Sequence, residues 1–402
     1  MIERKEYLEN LISFKDKDLI KVVTGVRRCG KSTLFELYIG FLKKSGVSDN
    51  QIISLNLEDL ENADLLDYKS LYDYIKERLT LDMNYIFIDE VQKCKDFEKA
   101  VDSLFIKKNC DVYITGSNAF LLSGELATLL SGRYIEIKML PFSFKEYYEA
   151  KANSGKTKHE LFFDYLKYGS FPYVSYLEND DRVINQYIEG IYNTILIKDV
   201  ATREKINDVT VLENILKTVA SSVGSPISTK KISDTLISAG RRISTHTVDA
   251  YLRALTDSYI LYNVLRYDIK GRQYLKTHGK YYFVDTGIRN LIVNQSSKDI
   301  GHLLENVVYL ELLRRKKRVN IGKLAEKEVD FVAVGVNGTE YYQVSASVLD
   351  ENTLARELEP LEAINDNYPK TLLTLDDIGN GMDYRGIKQV NVIDWLLNER
   401  LS

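Results

Sequence analysis

Cysteine and proline are both scarce in this chain of 402 residues, which contains only 3 cysteines and 5 prolines. Cys29, Cys94 and Cys110 lack the paired spacing of a disulfide framework. Such cysteine usage is typical of proteins in a reducing compartment. The first residues, Met1–Tyr7, are charged and do not form a secretory signal. These two features predict a cytoplasmic protein.

Long apolar runs are also missing. No run reaches the ~18 consecutive apolar residues that a membrane-spanning helix needs, so we expect no membrane partner. Acidic residues slightly outnumber basic ones, 58 to 54, which gives a formal net charge of −4. The whole chain therefore has no general attraction to nucleic acid, and any such binding must be local.

Residues 25–32, Gly-Val-Arg-Arg-Cys-Gly-Lys-Ser, fill every fixed position of the phosphate-binding pattern G-x-x-x-x-G-K-[ST]. A β-rich segment precedes them and a helical segment follows, as this pattern requires. Lys31 is expected to reach the β- and γ-phosphates, and the Ser32 hydroxyl to hold Mg²⁺. For Arg27 and Arg28, contact with a neighbouring domain is the alternative to phosphate contact. The candidate nucleotide contacts are Gly25, Arg27, Arg28, Cys29, Gly30, Lys31, Ser32 and Thr33.

A pair of carboxylates ends a later apolar segment, Tyr85–Ile88. A buried parallel strand with a functional carboxyl end has this pattern. Asp89 is predicted to hold the water shell of the metal, and Glu90 to accept a proton from the attacking water. Lys31 and Glu90 are therefore the leading catalytic candidates.

Further catalytic candidates lie next to two other strand-like segments: Ser117 and Asn118 follow one, and Arg133 directly precedes the other, Tyr134–Ile137. Ser117 or Asn118 is expected to hydrogen-bond the γ-phosphate or the attacking water, and the alternative is that these residues cap a helix at 119–122. Arg133 is a candidate for neutralising charge in the transition state, from the same chain or from a second copy. A surface ion pair is the alternative for Arg133.

Short apolar segments in the first 150 residues predict an α/β fold with a parallel sheet covered on both faces. The predicted strands are Leu19–Thr24, Ile52–Leu57, Tyr85–Asp89, Val112–Thr115 and Tyr134–Ile137.

In chain order, segments 25–32, 87–92, 114–118, 131–137 and 140–144 resemble the prokaryotic AAA-superfamily P-loop ATPases. Segments 280–287, 304–306 and 328–331 extend the resemblance to a branch with a C-terminal, nuclease-like domain of unknown function. The resemblance implies ATP and Mg²⁺ as ligands. It also implies an ATPase core over 1–150, a helical lid over 151–207, a winged-helix domain over 208–290 and a nuclease-like domain over 291–402.

The segment over 208–290 combines helical patterns with a polar hairpin, as winged helices do. The hairpin carries several basic residues against the single acid Asp268. DNA or RNA contact is one prediction, and docking of a protein partner or another domain is the alternative. The candidate nucleic-acid contacts are Arg266, Lys270, Arg272 and Lys276.

Glu305, Asp330 and Gln343 occur in the order of the metal-binding residues of restriction-endonuclease-like folds. Gln343 stands where a carboxylate is usual, and an amide binds hard cations more weakly because it has no net charge. Ser345 stands where a water-activating lysine is expected. We therefore predict a degenerate nuclease-like site without nuclease activity.

The sequence as a whole predicts a Mg²⁺-dependent ATPase that couples its nucleotide state to the winged-helix and nuclease-like domains. The alternative is a slow-turnover, nucleotide-dependent switch that binds DNA or a protein partner.

Overall fold

A five-stranded parallel sheet forms the centre of the first part of the chain in the computed structural model. Its strand order is β2-β3-β4-β1-β5. The strands are β1 Ile20–Thr24, β2 Ile52–Asn56, β3 Asn84–Asp89, β4 Cys110–Gly116 and β5 Tyr134–Lys138. The helices are α1 Lys5–Ser13, α2 Lys31–Lys44, α3 Tyr68–Lys76 and α4 Phe97–Phe105, with short 3₁₀ turns at Asp49–Gln51, Leu60–Leu65 and Val91–Lys93.

The predicted parallel α/β core is confirmed. All residues of β1 and β3 are buried, as expected for strands with helices on both faces. Each observed strand begins and ends within two residues of its predicted bounds.

Residue contacts group the chain into two units. The first consists of Met1–Pro141 and Asp257–Tyr259, and the second of Phe142–Thr256 and Ile260–Ser402. The structure describes residues 2–119, 130, 132–177, 180–202, 206, 208–293 and 299–398, with the side chains of residues 276–278 outside the description.

Aromatic packing fixes helix α2 against the sheet of the first unit. The ring of Phe87 stacks on that of Tyr113 at 4.8 Å between centroids. Phe35, on α2, meets Phe87 edge-on at 5.1 Å. Such ring pairs add about 0.5–1.5 kcal/mol beyond the area that they bury. Because α2 begins where the loop after β1 ends, this packing also positions that loop.

Tyr259 is the last residue of the short segment Asp257–Tyr259, which belongs to the first unit. The residues before and after this segment belong to the second unit. Its side chain is buried and its main chain has a φ of +61°, a conformation that is unusual for a bulky residue. The Tyr259 hydroxyl donates to Glu136 Oε1 at 3.4 Å. Glu136 Oε1 also accepts a 2.5 Å hydrogen bond from Thr24, the last residue of β1. Tyr259 is thus held against the end of the strand that leads into the loop.

The second unit contains an eight-stranded mixed sheet with the order β12-β13-β11-β10-β9-β8-β6-β7. Its strands are β6 Leu261–Asp268, β7 Gln273–Phe283, β8 Arg318–Leu324, β9 Lys327–Gly335, β10 Gly338–Val344, β11 Lys370–Thr374, β12 Asp383–Tyr384 and β13 Ile387–Asn391.

In the sequence, some helices of the second unit precede the strands of this sheet, and others lie between or after them. They are α5 Phe144–Ala150, α6 Lys158–Tyr168, α7 Asp181–Thr194, α8 Val209–Ala220, α9 Thr229–Ser238, α10 Thr245–Asp257, α11 Thr286–Ile292, α12 Ile300–Arg314, α13 Glu351–Glu362 and α14 Val392–Leu397, with a 3₁₀ turn at Pro172–Tyr176 and a π-helical segment at Ile195–Thr202. Within the described ranges, no helix combines the length and the apolar character needed to cross a membrane.

The hairpin predicted as the wing of a separate domain is part of this same sheet. Strand β6 pairs in parallel with β8, with Arg266 opposite Ile321. The predicted boundary at residue 290 therefore separates strands that are hydrogen-bonded to one another. A hairpin leaves its outer main-chain groups unpaired, and pairing with β8 satisfies those of β6. The four predicted domains remain a prediction, and the contacts define two units.

Candidate functional site

The loop between β1 and α2 has the main-chain geometry expected of a phosphate-binding loop. Gly25, Gly30 and Arg28 have φ values of +153°, +103° and +67°. Glycine adopts such angles without steric cost, whereas other residues rarely do. Gly30 stands directly before the first turn of α2. The free N–H groups of a helix start and its positive dipole end favour anions, so the loop is suited to phosphate.

Gly25 has no room for a side chain. A Cβ atom there would lie 2.2 Å from the carbonyl oxygen of Met139. We expect Gly25→Ala to lower the free energy of unfolding by more than about 1 kcal/mol. Gly40→Ala is the matched control, because a Cβ at Gly40 in α2 meets nothing within 4 Å and alanine is favoured in helices. Urea unfolding of both variants measures the difference, and equal stability of the two would contradict the steric argument.

Lys31 is the first residue of α2, and its side chain is buried. Its ammonium group donates to the carbonyl oxygens of Gly25 at 3.0 Å and Val26 at 3.3 Å. The same Nζ lies 3.8 Å from Glu90 Oε1. The positive charge is therefore held over the loop, where a bound phosphate chain would lie.

Ser32 and Asp89 meet at the carboxyl edge of the sheet. The Ser32 hydroxyl donates to Asp89 Oδ2 at 2.6 Å, and Asp89 Oδ1 accepts a hydrogen bond from Thr115. Strands β3, β4 and β1 are consecutive in the sheet and parallel. Their carboxyl ends therefore bring these three side chains together, although they are far apart in the sequence.

Glu90 has a left-handed main chain, with φ of +54°, and its N–H donates to Thr115 Oγ1 at 2.9 Å. Strain of this kind is common at functional sites. The Glu90 carboxylate accepts hydrogen bonds from Gln92 Nε2 and, at 3.2 Å, from the Ser117 hydroxyl. Asn118 follows Ser117 and is buried. The alternative helix-capping role of Asn118 concerns residues 120–122, which lie outside the described residues.

Of the remaining candidate nucleotide contacts, Arg27 and Cys29 have partners within the chain. Arg27 Nη1 forms an ion pair with Glu58 Oε1 at 3.0 Å. Burial raises the pKa of the Cys29 thiol, so Cys29 is a neutral packing residue in this loop. The Cys29 carbonyl accepts a 3.0 Å hydrogen bond from Arg4 Nη1, which the sequence did not indicate. Arg28 is exposed, and Thr33 lies half-buried in the first turn of α2.

The structure does not bring Arg133 to this edge. Arg133 precedes β5, and its carbonyl accepts from the N–H of Ile20, the first residue of β1. It therefore lies at the amino edge of the sheet, whereas the loop follows the carboxyl end of β1. Its guanidinium pairs with Asp102 on α4, with 2.6 Å between Nη1 and Oδ1. This geometry is the surface ion pair named above as the alternative.

The basic candidates of the second unit lie on the β6–β7 hairpin. Arg266 Nη2 lies 3.8 Å from Glu328 Oε2, so its charge is partly satisfied within the unit. Lys270 and Arg272 are exposed at the turn. Lys276 lies in β7, but its side chain is outside the described part of the chain. The turn therefore presents two exposed cations that are suited to phosphate contact.

The predicted nuclease-like residues do come together. Asp330 Oδ2 accepts from the N–H of Val344 at 2.9 Å, and the N–H of Asp330 donates to Gln343 Oε1 at 3.2 Å. Burial, reinforced by the negative charge of Glu305, raises the pKa of Asp330 to about 8. The Lys280 ammonium lies 3.4 Å from Glu305 Oε2 and 3.6 Å from Asp330 Oδ1. Lys280 was not among the residues predicted for this site.

The donor set of the first unit fits Mg²⁺ and a nucleoside triphosphate. A hydroxyl and a carboxylate in mutual contact, Ser32 and Asp89, are the hard oxygen ligands that Mg²⁺ prefers. The loop N–H groups and Lys31 supply positive charge for phosphates. Glu90 adds a carboxylate 3.8 Å from the Lys31 ammonium group. The acidic residues of the second unit are instead already paired with an internal lysine.

Comparisons with known proteins agree with this geometry. A family model described as "AAA domain" matches residues 17–148, and one described as "Domain of unknown function (DUF8612)" matches residues 159–299. A Walker-type ATPase of Pyrococcus abyssi has a similar structure with a TM-score of 0.53 at 14% identity, over 73% of this chain and 96% of that one. At this identity the likeness shows the fold alone.

Two uncharacterized proteins are similar over most of their length. One, from Methanocaldococcus jannaschii, is 29% identical over 383 residues, which is 90% of this chain and 83% of that protein. The other, from Haemophilus influenzae, is 40% identical over 401 residues, or 99% of each chain. The chain therefore belongs to the same family as the Haemophilus influenzae protein, and its residues 17–148 match the AAA domain.

Proposed function

We propose that the first unit binds ATP with Mg²⁺ and hydrolyses it. The observation that carries this proposal is the meeting of Lys31, the Ser32–Asp89 pair and Glu90 at one edge of the sheet. These groups supply a cation for phosphates, oxygen ligands for a metal and a base for water. Members of an AAA-type family with this set of side chains are expected to turn over nucleotide.

Each group has a distinct role in the proposal. The N–H groups of the loop and Lys31 bind the phosphates, and Ser32 with Asp89 holds Mg²⁺, which when bound neutralises phosphate charge. Glu90 accepts a proton from the attacking water. Ser117 and Gln92 hold the Glu90 carboxylate in place, and Asn118, the next residue after Ser117, is the candidate contact to the γ-phosphate.

A slow-turnover switch is the second candidate, and the contacts of Glu90 favour it. Glu90 Oε2 already accepts hydrogen bonds from Gln92 and Ser117, so this oxygen is occupied by groups of the chain itself and is less available to an attacking water. In this version ATP binding alone changes the second unit, which then binds a partner. DNA is one such partner, contacted by the exposed Lys270 and Arg272, and a protein is another.

Coupling between the units is proposed on the basis of chain connectivity. The chain passes between the two units after residues 141, 256 and 259. Tyr259 is the last residue before the third of these crossings. Its hydroxyl and that of Thr24, which directly precedes the loop, both donate to Glu136. A change in the loop on ATP binding is therefore expected to reach the residues that follow Tyr259.

The test is steady-state phosphate release by the full chain with ATP, in Mg²⁺ and in EDTA, with and without double-stranded DNA. We expect release that requires Mg²⁺ and that Asp89→Asn lowers about tenfold or more, as is typical for residues that orient metal ligands. Asp102→Asn is the matched control, because that carboxylate pairs with Arg133 at the opposite edge. Tight ATP binding without phosphate release would favour the switch. If the chain neither bound ATP nor released phosphate, both candidates would be refuted.

A further inference from the structure

Lys280 is the most deeply buried charged side chain of the acidic cluster in the second unit, with 2% of its side chain exposed. Its ammonium group contacts three carboxylates. Nζ lies 2.9 Å from Glu328 Oε1, 3.4 Å from Glu305 Oε2 and 3.6 Å from Asp330 Oδ1. An ammonium group has three N–H donors, so its bonding capacity matches the number of carboxylates around it.

Three separate elements supply this cluster. Lys280 comes from β7, Glu305 from the middle of α12, and Glu328 with Asp330 from one face of β9. Without a cation, these acids would repel one another in a region of low dielectric. The Lys280 ammonium group is the positive charge that lies among these acids.

The packing around Lys280 leaves it little access to other ions. The Tyr282 hydroxyl donates to Glu305 Oε2 at 2.9 Å. Gly224 approaches so closely that an added Cβ would lie 2.4 Å from His302 Nδ1 and 3.1 Å from Glu305 Oε2. Among the described residues, no group of three or more His, Cys, Asp and Glu side chains has the geometry to hold a metal ion.

We propose that the Lys280 ammonium takes the place of a divalent cation in this cluster and joins β7 to α12 and β9 without a metal. Burial alone would lower the pKa of Lys280, but Glu305, Asp330 and Glu328 outweigh it and raise the pKa. In this cluster the cation is the side chain of Lys280 and not a bound metal ion.

Removing the ammonium group is expected to expose the site to metal. The experiment uses the full chain without nucleotide, with Asp89→Asn in every protein to remove the metal carboxylate of the first unit. Lys280→Ala should lower the midpoint of thermal unfolding. Addition of about 5 mM MnCl₂ should then raise that midpoint by about 5 °C or more. The parent protein, which carries Asp89→Asn alone, should show no such rise in its midpoint. The variant that combines Lys280→Ala with Asp330→Asn should show none either.

Two results would overturn the proposal. One is a Mn²⁺-dependent rise in the parent that Asp330→Asn abolishes, because the native cluster would then bind metal beside its lysine. The other is a folded Lys280→Ala variant that no divalent cation stabilises. If Lys280→Ala does not fold, calorimetric titration of the parent and of Asp330→Asn with Mn²⁺ decides the question. Identical titrations support the proposal, and binding that depends on Asp330 contradicts it.

Discussion

Lys31→Ala is expected to abolish ATP-dependent phosphate release by the full chain to within the detection limit, a loss of about 10²-fold or more. The ammonium of Lys31 is held over the loop by the carbonyls of Gly25 and Val26. Alanine removes a preorganised positive charge from the place where phosphate charge develops. Because alanine also removes a charge-assisted hydrogen bond to the bound nucleotide, affinity should fall as well.

Lys43→Ala is the control for this variant. Lys43 lies near the other end of α2, and its exposed ammonium pairs with Asp49 at 2.8 Å. Removing an exposed cation from the same helix should leave turnover and nucleotide binding unchanged. Phosphate release and equilibrium binding of a fluorescent ATP analogue are measured for both. Full activity of Lys31→Ala would remove the basis of the proposed function.

The second large effect is expected from Glu90→Gln. A general base contributes about 10²–10⁴-fold to such a reaction, so turnover should fall by that factor. Glutamine keeps the size and an oxygen acceptor for the Ser117 hydroxyl, but it cannot take a proton. It also removes a negative charge that lies 3.8 Å from Lys31 Nζ. Affinity for ATP should therefore be retained or increased.

ATP binding distinguishes Lys31→Ala from Glu90→Gln. Lys31→Ala should bind ATP weakly, whereas Glu90→Gln should bind it and leave it unhydrolysed. A filter-binding assay of retained, unhydrolysed ATP measures this difference. Gln92→Ala provides a comparison, because it leaves Glu90 intact but removes one of its hydrogen-bond donors. If Glu90→Gln released phosphate at the wild-type rate, Glu90 would not be the base and another group would have to accept the proton.

The sequence was most informative where the chemistry depends on neighbours in the chain. The eight residues of the loop and the strand ending in Asp89 and Glu90 are local patterns, and glycine positions reveal where the main chain must have positive φ. The position of Arg133 could also have been predicted from the sequence. A residue that precedes a parallel strand lies at the amino edge of the sheet, so the predicted strand Tyr134–Ile137 already argued against its meeting the loop of the same chain.

Contacts between distant segments could not be predicted in the same way. Arg4 acts through its position in the folded chain and belongs to no pattern of spacing. Gln92 lies in the segment 87–92, but only the structure shows that its side chain donates to Glu90. The position of Lys280 depends on the pairing of β6 with β8, which brings a hairpin next to strands from much later in the sequence. The sequence shows the charges in this region, but only the sheet order shows which of them meet.

Tyr259 has a practical consequence for dissecting the protein. The first unit is discontinuous in the sequence, because it includes three residues, Asp257–Tyr259, that lie more than a hundred positions after Pro141. A fragment truncated at Pro141 would lack the tyrosine ring on which Lys138 rests, with Nζ 4.8 Å from its centroid, and would leave Glu136 without one of its donors. Domain excision at a single cut is therefore unsuited to this chain, and fragment complementation with a peptide spanning Tyr259 is the appropriate design.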